Sequence, residues 1–288
     1  MIKIKNIEDY KIGQNIYSFV LCALKEKKIS KNGDAYIDVL FRDKSGKISG
    51  KIWNFVDFYE TAFNEGEIVA IKGEIKRFRG NLFVNVNNIS NLSNERYDKY
   101  GFKSELIYPS IDFSVNKIFK NLQKIISNLD NPYKKLVKLI FNRYESQIKL
   151  FPDDIFDYNF NKKGGLILKI YNAINIALKI TNNRKVSQSL IFTGVLLKYI
   201  GRVKQYEYDI IFREKNIGKT ENCLILSRDI IKNISKELNL DKNTFNEIID
   251  IILYESGINS NSNHLGALVY HIFEIDKSIS SIESKVQK

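Results

Sequence analysis

The chain has 288 residues, of which 44% are hydrophobic and 27% are charged, and its formal net charge at pH 7 is +12. This length and hydrophobic content are enough for two domains with separate cores, and we find no repeat or disordered tail. Its two cysteines, Cys22 and Cys223, form neither a CxxC pair nor a disulfide framework, which suits a reducing interior. The N-terminal stretch is charged, and no run of about 18 apolar residues occurs. We therefore expect a cytoplasmic protein that does not contact a membrane.

The positive charge has two interpretations. A sequence pI near 9.4 favours a polyanionic partner, because basic surfaces attract nucleic acid through counterion release. However, the chain is rich in Lys, Asn and Ile and has only 3 Pro, 1 Met and 1 Trp. An AT-rich genome produces the same bias without selection for binding. Charge alone therefore does not decide between these interpretations.

The first third of the chain shows short strand-like runs separated by turns. Strands are predicted over 16–25, 36–42, 47–53, 66–78 and 82–86, with a short helix over 55–63. In the third strand Ile48 and Ile52 share one face. Lys51 and Trp53 share the other face. Five strands with a helix between the third and fourth are typical of an OB-fold barrel.

An OB-fold binds single strands by stacking bases on aromatic rings, while basic side chains follow the phosphates. Trp53 and Phe83 are good stacking candidates because their strand neighbours Lys51 and Asn85 are polar. Aromatic residues of a small barrel also fill its core, and this alternative applies to Tyr36 and Phe78. The predicted nucleic-acid-binding residues are Lys27, Lys28, Lys31, Tyr36, Lys51, Trp53, Arg77, Phe78, Arg79 and Phe83.

Two stretches of this region resemble a known family. They are SKNGDAYIDVLFRDKSGKISGKIWN and GEIVAIKGEIKRFRGNLFVNV, with their D-K-S-G turn and their I-x-x-F-R-G pattern. They resemble the OB domain of the tRNA-anticodon-binding type, in the variant that opens the YhaM-type 3′–5′ exoribonucleases. The resemblance implies single-stranded RNA or DNA as the partner.

The rest of the chain changes to a helical period. Apolar residues recur at i, i+3 and i+4 over 114–129, 132–150, 164–181, 187–204, 220–238, 242–255 and 263–281. We therefore predict an α+β multidomain protein in which an all-α domain follows the five-stranded OB-fold barrel. The predicted bounds are 1–92 for the OB-fold domain, 93–112 for a linker and 113–288 for the helical domain.

One stretch of the helical region carries a second resemblance. SLIFTGVLLKYIGR, residues 189–202, is apolar enough for a buried helix, and we expect it to end at Gly201 in a left-handed turn. Its last turn resembles the central helix of HD-domain phosphohydrolases, in which a His-Asp pair ligates metal. Lys198 and Tyr199 stand at those two positions. An ammonium group cannot ligate a divalent cation at neutral pH, and a phenol is a poor ligand.

The resemblance to the YhaM-type HD domain covers most of the helical region, and other residues occupy its ligand positions. Besides Lys198 and Tyr199, these substituted positions are Lys169, Lys219, Glu255, Ser256 and Phe273, while Asp276 is retained. Only His264 and His271 are present in the chain, too few for a His-rich metal site. The resemblance therefore implies a degenerate HD-like site without metal, cofactor or catalytic residues. Its lysines, with Arg202, suggest a pocket that could hold phosphate.

These observations predict a single-stranded RNA- or DNA-binding protein that is a catalytically inactive relative of the YhaM-type exoribonucleases. One alternative is an active metal-dependent 3′–5′ exoribonuclease or phosphohydrolase, in which Asp153, Asp154, Glu255 and Asp276 converge on a relocated ion. A second alternative is a protein–protein scaffold. In that case the barrel would bind a protein partner. Self-association through the helical domain is also open.

Overall fold

A computed structural model describes residues 4–92, 100–155, 161–208, 212–255 and 263–286, without the side chains of 284–286. Contacts divide the chain into two compact units, Met1–Pro109 and Ser110–Lys288. Residues 100–109, which fall within the predicted linker, belong to the first unit, where the backbone amide of Lys44 donates to the carbonyl of Leu106. Within the described ranges no helix is long and apolar enough to cross a membrane.

The first unit contains a closed barrel of five strands. The strands are β1 (Asn15–Ile29), β2 (Ala35–Arg42), β3 (Lys47–Ile52), β4 (Ile68–Phe78) and β5 (Asn81–Asn91), and helix α1 (Val56–Ala62) lies between β3 and β4 in the chain. The barrel order is β1-β2-β3-β5-β4, in which β3 and β5 pair in parallel and the other pairs are antiparallel. The predicted five-stranded OB-fold barrel is confirmed.

Alternate side chains of each strand point inward and fill the barrel interior. In β3, Ile48 and Ile52 are buried, and Gly50 between them leaves room for the ring of Phe41. A Cβ atom at Gly50 would lie only 2.3 Å from that ring, so the strand needs glycine at this point. The alternate residues of the strand face outward.

Two polar side chains of the barrel unit bind backbone groups of neighbouring segments. Lys25 on β1 donates from Nζ to the carbonyl oxygens of Tyr59, Glu60 and Phe63 at 2.9, 2.7 and 2.5 Å, which caps the C-terminal end of α1. In the β2–β3 turn, Asp43 accepts hydrogen bonds from the backbone amides of nearby residues through both carboxylate oxygens. The D-K-S-G sequence of this turn therefore has a structural role.

The second unit is helical. Its helices are α2 (Val115–Ser127), α3 (Tyr133–Arg143), α4 (Glu145–Leu150), α5 (Gly165–Thr181), α6 (Gln188–Leu197), α7 (Arg202–Gln205), α8 (Asn216–Thr220), α9 (Cys223–Glu237), α10 (Lys242–Ile252) and α11 (His264–Val286). The prediction of a helical region after the barrel is confirmed. One feature was not predicted, a two-stranded ribbon of β6 (Tyr206–Tyr208) and β7 (Phe212–Glu214). The predicted helix over 132–150 is two helices, because the chain leaves helical geometry at Tyr144.

Helix α6 lies in the centre of the helical core. All of its residues from Ser189 to Leu197 are buried, as the apolar sequence predicts. The helices α3, α5, α10 and α11 pack around it. A helix that is apolar all round is stable in water only when neighbours cover every face.

Gly201 differs from the sequence expectation. Its backbone is right-handed, with φ −55° and ψ −23°, so the prediction of a left-handed helix end was wrong. The glycine serves a close approach instead, because an added Cβ would lie 2.0 Å from the carbonyl oxygen of Cys223. Ser227 completes the junction by accepting a 2.8 Å hydrogen bond from the amide of Gly201. Glycine is therefore required here for packing against α9.

Replacing Gly201 with alanine should lower the free energy of unfolding by about 2 kcal/mol or more, because overpacking against backbone typically costs about 1–3 kcal/mol. Urea denaturation followed by circular dichroism would measure the loss. Gly46→Ala is the control, since a Cβ there would meet only Ile7 Cγ2, at 3.8 Å. Equal losses in the two variants would contradict the proposed packing role.

Candidate nucleic-acid interface

The outer face of the barrel brings four aromatic rings around one lysine. We call Tyr36, Lys51, Trp53, Phe78 and Phe83 the ring cluster. Lys51 Nζ lies 5.1 Å from the ring centroid of Tyr36, 5.8 Å from that of Trp53, 5.7 Å from that of Phe78 and 5.9 Å from that of Phe83. The rings of Tyr36 and Trp53 are stacked, with centroids 4.6 Å apart. All five residues were predicted from the sequence, and the structure brings them together.

The register of three neighbouring strands produces this cluster. Lys51 on β3 is paired with Asp38 on β2 and with Asn85 on β5. Phe83, two residues before Asn85, is the β5 partner of Ser49. Adjacent strands are about 4.8 Å apart, so outward side chains at neighbouring positions lie side by side.

The rings of the cluster remain accessible to solvent. Trp53 is 40% exposed and Phe78 is 59% exposed, while Tyr36 and Phe83 are half-buried. None of the four therefore fills the barrel core, and each offers part of its ring to a ligand. Aromatic rings also attract cations through their electron-rich faces at centroid distances up to about 6 Å, which explains why the ammonium of Lys51 lies among them.

Three further predicted basic residues have exposed or ring-contacting side chains in the barrel unit. Arg79 follows β4 in a left-handed conformation with φ 48°, and its guanidinium carbon lies 5.3 Å from the centroid of Phe78. Arg77 is exposed near the end of β4. Lys31 is exposed in the turn between β1 and β2. Arg79 is thus beside the ring cluster.

The two remaining predicted lysines are in ion pairs. Lys27 Nζ lies 2.9 Å from a carboxylate oxygen of Asp57 and 2.6 Å from one of Glu60. Lys28 Nζ lies 2.7 Å from a carboxylate oxygen of Asp38 and 3.1 Å from one of Glu26. The hydrogen bonds that the two ammonium groups donate to these carboxylates raise the pKa of both lysines. Their charge is locally neutralised, so they contribute less to an anion-binding surface than Lys51 and Arg79.

In the helical unit, Lys198 follows α6 and is fully buried. Its Nζ donates to the carbonyl oxygens of Ile252, at 2.9 Å, and Tyr254, at 2.8 Å. Burial lowers the pKa of Lys198 to about 8. The ammonium therefore donates hydrogen bonds to carbonyls that the C-terminal end of α10 leaves without helical partners. The helix dipole also favours a cation at this end.

Lys169 on α5 also has partners within the protein. Its Nζ lies 2.9 Å from both carboxylate oxygens of Asp153 and 4.1 Å from the ring centroid of Tyr199. The ring of Tyr199 meets that of Phe273 edge to face, with centroids 4.8 Å apart. Burial raises the pKa of Tyr199, so its phenol stays neutral. Lys169, Tyr199 and Phe273, which stand at ligand positions in the HD resemblance, thus pack against one another, and Asp153 pairs with the lysine.

A cavity of about 450 Å³ lies beside these residues, and four of the predicted site residues line it: Tyr199, Arg202, Lys219 and Glu255. Arg202 is held in place by Gln205 Oε1 at 2.6 Å and the hydroxyl of Tyr206 at 2.7 Å. Lys169 and Lys198 do not line the cavity. The structure therefore does not bring the three aligned lysines together into one pocket, because two of them satisfy internal acceptors. Ser256 lies outside the described residues.

The side chains at the aligned positions do not fit a divalent cation. A metal needs lone pairs from His, Asp or Glu, whereas Lys198 and Lys169 present donors that already have partners. Of the carboxylates considered for a relocated ion, Asp153 is held by Lys169, and Asp154 lies 4.0 Å from Arg202. Within the described part of the chain, no three His, Cys, Asp or Glu side chains group as metal ligands do.

Sequence reasoning missed the partners that hold the helical site together. The Lys198 acceptors are backbone carbonyls more than fifty positions away, and a carbonyl has no sequence signature. The polar support of Arg202 by Gln205 and Tyr206 was also missed. The only signal was the i+3 and i+4 spacing of Gln205, at the end of α7, and Tyr206, at the start of β6.

The closed barrel and a family-model match define the class of the first unit. Residues 24–92 match the tRNA anti-codon family model, described as an OB-fold nucleic acid binding domain. The second OB-fold domain of replication protein A from Methanococcus maripaludis is a similar solved structure, 18% identical, covering 32% of this chain and 98% of that chain with a TM-score of 0.27. The first unit is thus an OB-fold domain of the nucleic-acid-binding type.

Curated relatives confirm the resemblance to the YhaM-type family. The 3′-5′ exoribonuclease YhaM of Bacillus subtilis is 20% identical over 203 residues, which cover 70% of this chain and 63% of that protein. The YhaM protein of Listeria innocua is 19% identical over 245 residues, which cover 82% of this chain and 75% of that protein. The chain thus spans less than two thirds of the Bacillus relative.

The pKa of Lys198 predicts a pH-dependent stability. An unfolded lysine keeps its proton to about pH 10.4, whereas folded Lys198 releases it at about pH 8. Between these values the unfolded state binds more protons, so the free energy of unfolding rises with pH, by up to ~3 kcal/mol. Below pH 8 both states are charged and this contribution is constant.

The Lys198→Met variant isolates this contribution, because other tyrosines and lysines titrate equally in both proteins. The wild-type minus variant difference in unfolding free energy, measured by urea denaturation from pH 7 to 10.5, is expected to be flat at first and then to rise. A difference that does not change with pH would show that the ammonium is not buried as described.

Proposed function

We propose that the protein binds single-stranded nucleic acid on the ring cluster of its barrel. The observation that carries this proposal is the arrangement of four accessible rings around the ammonium of Lys51. Stacking of a base on such a ring contributes about 1–3 kcal/mol and accepts any base. We therefore expect binding that does not depend on the base sequence of the strand.

The charges around the rings suit the backbone of the same strand. Lys51 lies between the rings, and Arg79 lies beside Phe78, so phosphates on either side of a stacked base would meet a cation. A duplex hides its base faces and could not use the rings. The names of the two curated relatives, both exoribonucleases, support an RNA strand as ligand. The rings and cations themselves accept RNA or DNA.

We also propose that the helical unit has no metal-dependent nuclease activity. The observation behind this proposal is the buried ammonium of Lys198, which occupies a position that the family resemblance assigns to a metal ligand. Hydrolysis of this type needs a metal-bound water, and a buried cation at the site opposes metal binding. The protein would then hold a strand without cutting it.

Removing the ring of Trp53 should weaken single-strand binding at every salt concentration. Trp53→Ala is expected to reduce affinity for a 12-nucleotide single strand about 5- to 100-fold, the equivalent of one lost stack. Fluorescence anisotropy would measure it. Phe58→Ala is the matched control, because Phe58 is a 66% exposed aromatic residue outside the ring cluster. Equal affinities for the two variants would point to binding elsewhere, including a barrel that serves a protein partner.

Removing a cation of the cluster should change the salt dependence as well. Lys51→Ala is expected to lower the slope of log K against log salt by about 0.7, the value for one phosphate contact on a single strand. Lys11→Ala removes an exposed lysine outside the cluster and should leave the slope unchanged. A slope that stays at the wild-type value in Lys51→Ala would contradict phosphate contact at this residue.

The purified protein should not degrade single-stranded RNA in the presence of Mg²⁺ or Mn²⁺. Gel electrophoresis of a labelled strand would detect cleavage, and Asp276→Asn and Glu255→Gln proteins purified in parallel would control for contaminating nuclease. Cleavage by the wild type that disappears in either variant would support the alternative of an active exoribonuclease with a relocated metal ion.

A further inference from the structure

The helices α2 and α3 carry an unusual charge distribution. They contain seven basic residues and no acidic residue; these are Lys117, Lys120, Lys124, Lys134, Lys135, Lys138 and Arg143. Helices α9 and α10, which are of similar length, have four basic and four acidic residues. Helices α5, α7 and α8 also lack acidic residues, but each of them carries at most two basic residues. The imbalance is therefore a local property of α2 and α3.

Five of these lysines are exposed on the two helices. On α2, Lys117, Lys120 and Lys124 recur at i, i+3 and i+7 and are exposed, opposite a buried apolar face. On α3, Lys135 and Lys138 are exposed in the same way. We call these five residues the α2–α3 basic face.

The two helices lie next to each other. The ring centroids of Phe119 on α2 and Phe141 on α3 are 6.2 Å apart, and a short connection joins the helices. Lys117 and Lys124 are about 10 Å apart along α2, at 1.5 Å per residue. Packed helices have axes about 8–10 Å apart. The charges of the basic face are thus distributed over two neighbouring helices.

The ion pairs of the described residues leave the charges of this face uncompensated. None of its five ammonium groups is in an ion pair with a carboxylate of the described residues, whereas Arg143 at the edge of the pair binds Glu237 at 2.9 Å. The exposed side chains of α2 and α3 include no aromatic ring. The surface can therefore attract a polyanion by charge, but it cannot stack bases.

We propose that the α2–α3 basic face binds the phosphate backbone of a double-stranded nucleic-acid segment. A single strand presents its phosphates in a line, whereas a duplex presents two neighbouring rows, which match charges distributed over two helices. Contacts to phosphate alone carry no sequence information, so binding is independent of sequence. This face belongs to the second unit, whereas the ring cluster belongs to the first, and the proposal does not depend on single-strand binding.

The test uses the full chain with three lysines of α2 changed to glutamine: Lys117→Gln, Lys120→Gln and Lys124→Gln. The matched control changes Lys232, Lys236 and Lys242 to glutamine, which removes the same net charge from exposed positions of α9 and α10. Binding to a blunt-ended 20-base-pair RNA or DNA duplex is measured by fluorescence anisotropy at several salt concentrations.

The α2 variant should bind the duplex at least about tenfold more weakly at low salt, and its salt slope should fall by about 2.7, since each duplex phosphate contact contributes about 0.9. The control should keep nearly the wild-type slope. Replacing the same three lysines with arginine should preserve binding, because the charge is retained. Equal slopes in the α2 variant and its control, or a wild type that does not bind the duplex at low salt, would overturn the proposal.

Two further measurements distinguish duplex binding from single-strand binding and from membrane binding. The α2 variant should bind a 12-nucleotide single strand with nearly wild-type affinity; a loss as large as for the duplex would overturn the assignment to double strands. If no protein of the set binds the single strand and the duplex pattern holds, the proposed function fails and this inference stands. An effect of the variant on binding to phosphatidylserine vesicles but not to the duplex would identify a membrane surface and overturn it.

Discussion

Closure of the barrel around one apolar interior is the constraint on which the proposed interface depends. Once Ile48, Gly50 and Ile52 face inward, Lys51 and its alternate neighbours must face outward. The parallel pairing of β3 with β5 then sets Phe83 beside them. The packing that stabilises the fold thus also determines which side chains form the ring cluster.

The helical unit shows how a core can accommodate the ammonium groups of lysine side chains. Burial of an ammonium is unfavourable unless acceptors surround it. Lys198 meets this requirement with two carbonyls at the end of α10, and Lys169 meets it with both oxygens of Asp153. Each lysine joins two segments that are distant in the chain. These contacts connect the helical core through polar groups that are paired.

The sequence was sufficient for the features that depend on local patterns. The alternation in β3 predicts which side of the strand Lys51 and Trp53 occupy, and the apolar run of α6 predicts its burial. Features that depend on distant partners were not predictable in this way. Gly201 has the residue type of a left-handed helix end, but its backbone is right-handed and glycine is needed because the carbonyl oxygen of Cys223 leaves no room for a Cβ atom.

The emission of Trp53 offers the most direct test of single-strand binding by the ring cluster, because Trp53 is the single tryptophan of the chain. Its ring is 40% exposed and stacked on Tyr36, so a base that stacks there must change its fluorescence. Titration with a single-stranded 12-mer, followed by tryptophan emission and by anisotropy of the labelled strand, compares contact with binding. We expect saturable quenching with the same dissociation constant as the anisotropy change. Binding seen by anisotropy without any change in tryptophan emission would contradict single-strand binding by the ring cluster.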